Sequence, residues 1–291
     1  MPMNRRRFLT ISAAMAVTPV WAGTQSWQGR ALGADVSLTI RGAPGASTAV
    51  LAQMRAILAE VEILFSLYDP TSALVKLNDT GLLSDPADEF IALMAASDRA
   101  YRITNGLFDP TVQPLWRAMA KGSDISAARS AIGWDRVRWD DRHVQLGPGQ
   151  ALTFNGIAQG FATDLVAERL SALGLRDVLV NIGEYRAIGG LWRLGIRDPA
   201  HGQLGMRTLD GGAIATSSPG AMALGDHAHI LHAYAQPRWS TVSVEAETAT
   251  LADCLSTALC LAPRDLIDAV RNYDDVRRIT LVDFAGNLTS L

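Results

Sequence analysis

Asp253 and Thr257 stand four residues apart in Ala249-Thr250-Leu251-Ala252-Asp253-Cys254-Leu255-Ser256-Thr257-Ala258-Leu259, a largely apolar stretch of helical character. At about 3.6 residues per turn the two side chains lie one above the other on the same face. A carboxylate and a hydroxyl converging there are hard oxygen ligands of the kind Mg²⁺ takes, with water and substrate phosphate completing its shell. Two other readings stay open. Thr250-x-x-Asp253 scans as a capping box, and the Thr257 hydroxyl can bond back to a helical carbonyl.

Further polar residues are scattered along the chain. Gly156-x-x-x-Gly160 precedes a helix, where it either brings backbone amides close to a phosphate or makes a tight packing turn; it lacks the lysine of a P-loop. His227, His229 and His232 fall within six residues, but on a strand the first two share one face and the third takes the other. A single histidine acting as general base fits better than a three-histidine metal site. Asp109 before Pro110 is a turn-former or a buried carboxylate serving a site, Ser72 and Asn78 follow a long helix, and Thr216-Ser217-Ser218 offers hydroxyls.

The elements that must position these groups follow from periodicity. Residues 34–40 alternate as a half-buried strand, and residues 46–67 form an amphipathic helix with Leu51, Met54, Ile57, Leu58, Val61 and Phe65 on one stripe. Tyr68-Asp69-Pro70-Thr71-Ser72 breaks it, and a second helix over 86–103 stops at Asn105-Gly106. Short strands flank Gly147-Pro148-Gly149, a helix runs from Gly160 to Leu173, and Val178–Gly183 is a buried strand. Strands are expected at 192–197 and 240–245, helices around Asp253 and over 264–273, and a closing hairpin at Ala285-Gly286-Asn287. Helices and strands mix without a regular βαβ rhythm, so the fold class is α+β.

Asn4-Arg5-Arg6-Arg7-Phe8-Leu9-Thr10, an apolar run from Ile11 to Val20, and Val20-Trp21-Ala22 read as a twin-arginine export signal over residues 1–22. The folded unit is then residues 23–291, exported through the twin-arginine machinery to the periplasm. A net charge of −3 with no basic block outside the signal argues against nucleic acid as a partner. Cys254 and Cys260, the only cysteines, lie six apart on one helix, out of bridging range, and are expected as free buried thiols.

Taken in order, these segments resemble the ApbE family, the FAD:protein FMN transferases. Leu32-Gly33-Ala34 is similar to the family's Met-Gly-Thr element, and Phe65-Ser66-Leu67-Tyr68-Asp69-Pro70-x-Ser72 through Leu77-Asn78 to its following segment. Gly106-x-Phe108-Asp109-Pro110-Thr111, Gly156-Ile157-Ala158-Gln159-Gly160-Phe161-Ala162-x-Asp164, Leu179-Val180-Asn181-Ile182-Gly183, Ala215-Thr216-Ser217 and the Asp253 helix complete the series. The resemblance implies one domain of two mixed α/β lobes with the flavin site between them. It also implies Mg²⁺-dependent cleavage of FAD, transfer of FMN to a Thr or Ser hydroxyl of a target respiratory flavoprotein, and release of AMP. Asp253 and Thr257 would ligate the metal together with the Ala158 carbonyl, and His229 would be the catalytic base beside Asp253. Leu32, Gly33, Ser72, Asn78, Asp109, Gly156, Gly160 and Thr216 would frame FAD.

The chain departs from the family pattern at several points. Thr153 stands where the family has aspartate, Gln159 where it has lysine, and His232-Ala233-Tyr234-Ala235-Gln236 where it has Asp-Pro-x-Thr-Gly. The export signal looks like that of the NosX branch, which implies a NosR-type flavoprotein at the inner membrane as acceptor. An FAD pyrophosphatase releasing free FMN and AMP, and a non-catalytic periplasmic flavin-binding or assembly protein, are the rival expectations.

Overall fold

Along Ala34–Ile40 the residues Ala34, Val36, Leu38 and Ile40 are buried and those between them are not, so the expected strand forms over the expected span. It is β3 of the computed structural model, which describes residues 14–16 (backbone only), 23–42 and 48–291. Before it come β1 (Ala14–Ala16) and β2 (Gln25–Ala31). Apart from the β1 backbone, which joins the main sheet, residues 1–22, where an export signal is expected, lie outside the described residues. Leu32 and Gly33 turn β2 into β3 with φ of 49° and 76°, the left-handed pair that a tight hairpin demands. Glycine adopts this freely and leucine does not; the Leu32 amide is held by the Glu62 carboxylate at 2.9 Å.

The stripe of α1 (Thr48–Phe65) buries Met54, Leu58, Val61, Leu64 and Phe65. Ser72 then caps α2 (Ala73–Thr80) by accepting from the Val75 amide. Next come β4 (Leu82–Ser84), α3 (Asp88–Ile103), a 3₁₀ turn at Pro110–Val112 leading into α4 (Gln113–Lys121), α5 (Ser126–Ala131), β5 (Arg138–Trp139) and β6 (His143–Gln145). The small sheet β4-β6-β5 belongs to this mainly helical lobe.

The second half of the chain supplies most of the main sheet. It runs through α6 (Ala158–Ala172), β7 (Val178–Ile182), β8 (Tyr185–Asp198) and β9 (Gly202–Ser217), then the short pair β10 (Ala223–Leu224) and β11 (His227–Ala228). β12 (Thr241–Ala246), α7 (Ala249–Leu259), α8 (Arg264–Val270), β13 (Val276–Val282) and β14 (Leu288–Ser290) complete it. The sheet order is β14-β13-β12-β9-β8-β7-β3-β2, with β1 paired to β8, and every pairing is antiparallel. Helices mixed with an antiparallel sheet make the fold α+β, as expected. One continuous core joins α1, α3, α6 and α7 to a sheet face, so the two lobes form a single domain. A smaller cluster around Trp192, Leu194 and Leu209 covers part of the other face.

Of the long β8–β9 hairpin, the sequence reading catches only residues 192–197. Gly189-Gly190 and Gly211-Gly212 look like breaks, yet the hairpin absorbs both pairs at positive φ, in a bulge where the register shifts between Ala187 and Leu191. The two cysteines are free and buried, as expected. Among the described residues no helix is long and apolar enough to cross a membrane.

Candidate active site

Helices α6 and α7 meet closely because two glycines let them. A Cβ on Gly160 would lie 2.3 Å from the Ala249 carbonyl oxygen and 2.8 Å from the Asp253 Cβ, and one on Gly156 would lie 3.0 Å from Thr257. Of the two readings of Gly156-x-x-x-Gly160, close packing is therefore realised, and the Gly160 amide is engaged: it donates to Asp253 Oδ2 at 2.9 Å. Asp164, further along α6, accepts from the Ala249 and Thr250 amides and the Thr250 hydroxyl, and pairs with Arg186 at 2.6 Å. The N-cap of α7 is Thr248, so the capping box at Thr250 does not form, and Asp253 is left to the cleft. Gly160→Ala is expected to cost about 1–3 kcal/mol by overpacking. A lowered melting temperature would check this.

The cleft into which Asp253 opens encloses about 1030 Å³, counting space open to solvent. Residues 107–116 of the helical lobe form one wall and the β9–α7 region of the sheet lobe the other, so this cleft lies between the lobes. Asp109, Glu184 and Asp253 line it, and among the described lining residues there is no lysine or arginine. Thr257 Oγ1 is 3.3 Å from Ser217 Oγ, whose other neighbour is Ser256 Oγ at 2.8 Å.

Burial pushes Asp253 up to about 7, with repulsion from Asp164 adding to the shift and the Gly160 amide opposing it. Glu184 is raised well above the ordinary range by burial and then by the charge of Asp253. Ionising either is harder in the folded chain than in the unfolded one. The metal-free protein is thus expected to lose stability as pH climbs from about 3.8 to about 7, a loss that Mg²⁺ reverses at the upper end. Melting curves across that window, with and without Mg²⁺, check the sign. Asp109 is also raised by burial, against the Thr111 amide and hydroxyl that bond its Oδ1.

The three histidines part company. His227 is exposed, and His229 Nδ1 lies 3.1 Å from the Pro219 carbonyl and 3.3 Å from that of Met222. Both neighbours only accept, so Nδ1 carries the proton and Nε2 keeps its lone pair. Burial lowers the His229 pKa below 6.5, which leaves the ring neutral near pH 7. In His232 the tautomer is reversed: Nδ1 accepts from the Tyr234 and Ala235 amides, and the ring donates to the Gly106 carbonyl. His232 is thus a strut, whereas His229 lines the cleft with a free nitrogen. No three His, Cys, Asp or Glu side chains group as a metal site among the described residues.

A cleft with a carboxylate–hydroxyl pair and a neutral histidine could serve several chemistries, and comparison with known proteins narrows them. The model of the ApbE family matches residues 32–279. The chain belongs to the ApbE family. A FAD:protein FMN transferase of Haemophilus influenzae is 25% identical over 253 residues, covering 73% of this chain and 72% of its own. Flavin Transferase ApbE from Vibrio cholerae superposes with a TM-score of 0.80 at 20% identity, over 92% of this chain and 96% of that one. The apo form of Pseudomonas stutzeri flavinyl transferase ApbE gives 0.79 at 25% identity, over 92% and 94%.

Of the residues singled out from the ApbE resemblance, Asp109, Gly156, Thr216, His229, Asp253 and Thr257 line the cleft. Ala158 opens α6, two residues before the glycine that bonds Asp253. The structure sets four others, Leu32, Gly33, Ser72 and Asn78, apart from the lining. Ser72 is fully buried as a helix cap, bonded to the Ser66 carbonyl and the Val75 amide. Asn78 exchanges two hydrogen bonds with the Leu152 backbone, pinning α2 to the segment before α6. Leu32 and Gly33 make the β2–β3 turn. Residues the sequence reading missed include Glu184, Gln113, Trp116 and Asn155. For Glu184 a signal existed: a carboxylate directly after the buried run Val178–Ile182 and Gly183.

The donor set suits a small divalent cation. Asp253 Oδ1 makes no hydrogen bond to the described residues, Thr257 lines the same cleft one helical turn on, and Ala158 opens α6 two residues before the glycine that bonds Asp253. Mg²⁺ is commonly held by one or two carboxylates with water and phosphate supplying the rest.

Proposed function

We propose that this chain is a Mg²⁺-dependent FAD:protein FMN transferase that cleaves the pyrophosphate of FAD, moves FMN onto a Thr or Ser hydroxyl and releases AMP. The observation that carries the reading is the charge of the cleft. Three acidic side chains line it and, among the described lining residues, no lysine or arginine, so nothing in the wall neutralises a pyrophosphate and a bound cation must supply that charge. Asp253, Thr257 and the Ala158 carbonyl would hold Mg²⁺, which supplies charge neutralisation on the phosphate oxygens. The Gly160 amide fixes one oxygen of Asp253 and leaves the other free.

His229 takes the proton of the acceptor hydroxyl at Nε2 while Nδ1–H stays bonded to the Pro219 and Met222 carbonyls. Leu107, Phe108, Trp116 and Leu261 supply an apolar wall suited to a flat ring. The twin-arginine motif in the sequence supports action in the periplasm, on a flavoprotein at the inner membrane. The NosX-like signal makes a NosR-type protein the first acceptor to try.

The test is chromatographic. Incubated with FAD and Mg²⁺, with and without an acceptor domain, the protein is expected to yield AMP and an acceptor heavier by one FMN. AMP with only free FMN would point to a pyrophosphatase, and intact FAD in both reactions to a binding protein.

A further inference from the structure

Buried carboxylates elsewhere in this fold are compensated from within the chain. Asp164 pairs with Arg186 and caps α7, and half-buried Glu245, whose Oε1 accepts no hydrogen bond, is compensated by the charges of Arg207 and Arg278. Asp198 receives two hydroxyls and two amides. Glu184 and Asp253 break this pattern. Glu184 is 6% exposed and Asp253 3%; neither pairs with a lysine or arginine among the described residues, and each accepts from one backbone amide, that of Thr216 at 3.2 Å and that of Gly160 at 2.9 Å. The other oxygen of each makes no hydrogen bond to the described residues.

The two carboxylates line the same cleft from different elements, near enough that the charge of one acts on the other. Thr216, which bonds Glu184, is followed by Ser217, whose hydroxyl is 3.3 Å from Thr257 Oγ1. Thr163 Oγ1 ties the Glu184 carbonyl to that of Gln159, the residue before the glycine that bonds Asp253. Gln159 is itself nine-tenths buried and lines the cleft, and its amide makes no hydrogen bond to the described residues. It lies so close over Gly183 that a Cβ there would meet the amide at 2.5 Å. The cleft wall beside Gly183 is thus a neutral amide, and no lysine or arginine is among the described lining residues.

We propose that Glu184 is a second carboxylate ligand of the cation held by Asp253 and Thr257, so that this chain builds a dianionic cation site. The inference rests on the reading of the cleft given under Proposed function. Two buried carboxylates sharing one divalent ion exchange mutual repulsion for coordination, and two is the upper number Mg²⁺ commonly takes from protein. Glu184 then sets how tightly the cation is held before any phosphate arrives.

The test uses Mn²⁺ alone as probe, with no FAD present. Electron paramagnetic resonance of free Mn²⁺ gives the dissociation constant, and pulsed measurements count the waters on the bound ion. Glu184→Gln is expected to raise the dissociation constant at least tenfold and to add one water, while melting without metal at or above the wild-type temperature. Glu184→Asp, which keeps the charge on a shorter arm, is expected to fall between and stands in if the glutamine variant does not fold. Unchanged affinity and water count in the Glu184 variants, with binding lost in Asp253→Asn, would overturn the role of Glu184 and leave the proposed function standing. No Mn²⁺ uptake by the wild-type protein would overturn the cation site as a whole.

Discussion

Asp253→Asn is expected to release no measurable AMP from FAD in the presence of Mg²⁺, a loss of at least about a thousandfold, because it removes the charge that anchors the cation. The estimate follows from a metal's contribution of several kcal/mol to a charged transition state, at about 1.4 kcal/mol per tenfold in rate. Asparagine keeps the shape and an oxygen to accept the Gly160 amide, so α6 and α7 should remain seated. It also relieves the repulsion between two buried acids, so the metal-free variant should melt no lower than wild type. Lost AMP release with an unchanged or raised melting temperature separates a chemical role from a structural one. Normal AMP release by the variant would remove Asp253 from the metal site.

His229→Ala is expected to slow FMN transfer by about 10²–10⁴-fold, the usual yield of a positioned general base, while FAD still binds. The ring is poised for this by its surroundings. Two backbone carbonyls fix the proton on Nδ1, and burial holds the pKa under the ordinary histidine value. Activity should therefore persist to lower pH than an exposed histidine would allow, and fall once the ring takes its second proton. The measurement is the transfer rate against pH for wild type and variant, with FAD affinity followed in parallel. His232→Ala is the control. It removes a strut between the Gly106 turn and the Tyr234 loop and no cleft base, so its effect should fall on stability more than on the acidic limb.

Local sequence determined a good deal. The alternation of residues 34–40, the stripe of α1, the stop at Asn105-Gly106 and the buried run before Gly183 each follow from side-chain periodicity and backbone preference, and each forms where expected. The Asp253–Thr257 spacing was legible for the same reason, since a four-residue step on a helix is a local fact.

Only the tertiary structure decided what surrounds that pair. Glu184 reaches the cleft because an antiparallel β7–β8 turn sets it against Thr216 of β9, 32 residues away in the chain. His229 and His232 look alike in sequence, and their tautomers are assigned by carbonyls and amides that folding delivers. Ser72 and Asn78 carry the same polar groups as ligand-binding residues, yet the fold consumes those groups in a helix cap and a backbone clamp. A side chain's chemistry is written in the sequence. Whether its hydrogen-bonding capacity is spent on the protein or left for a ligand depends on partners that only the folded chain brings within about 3 Å.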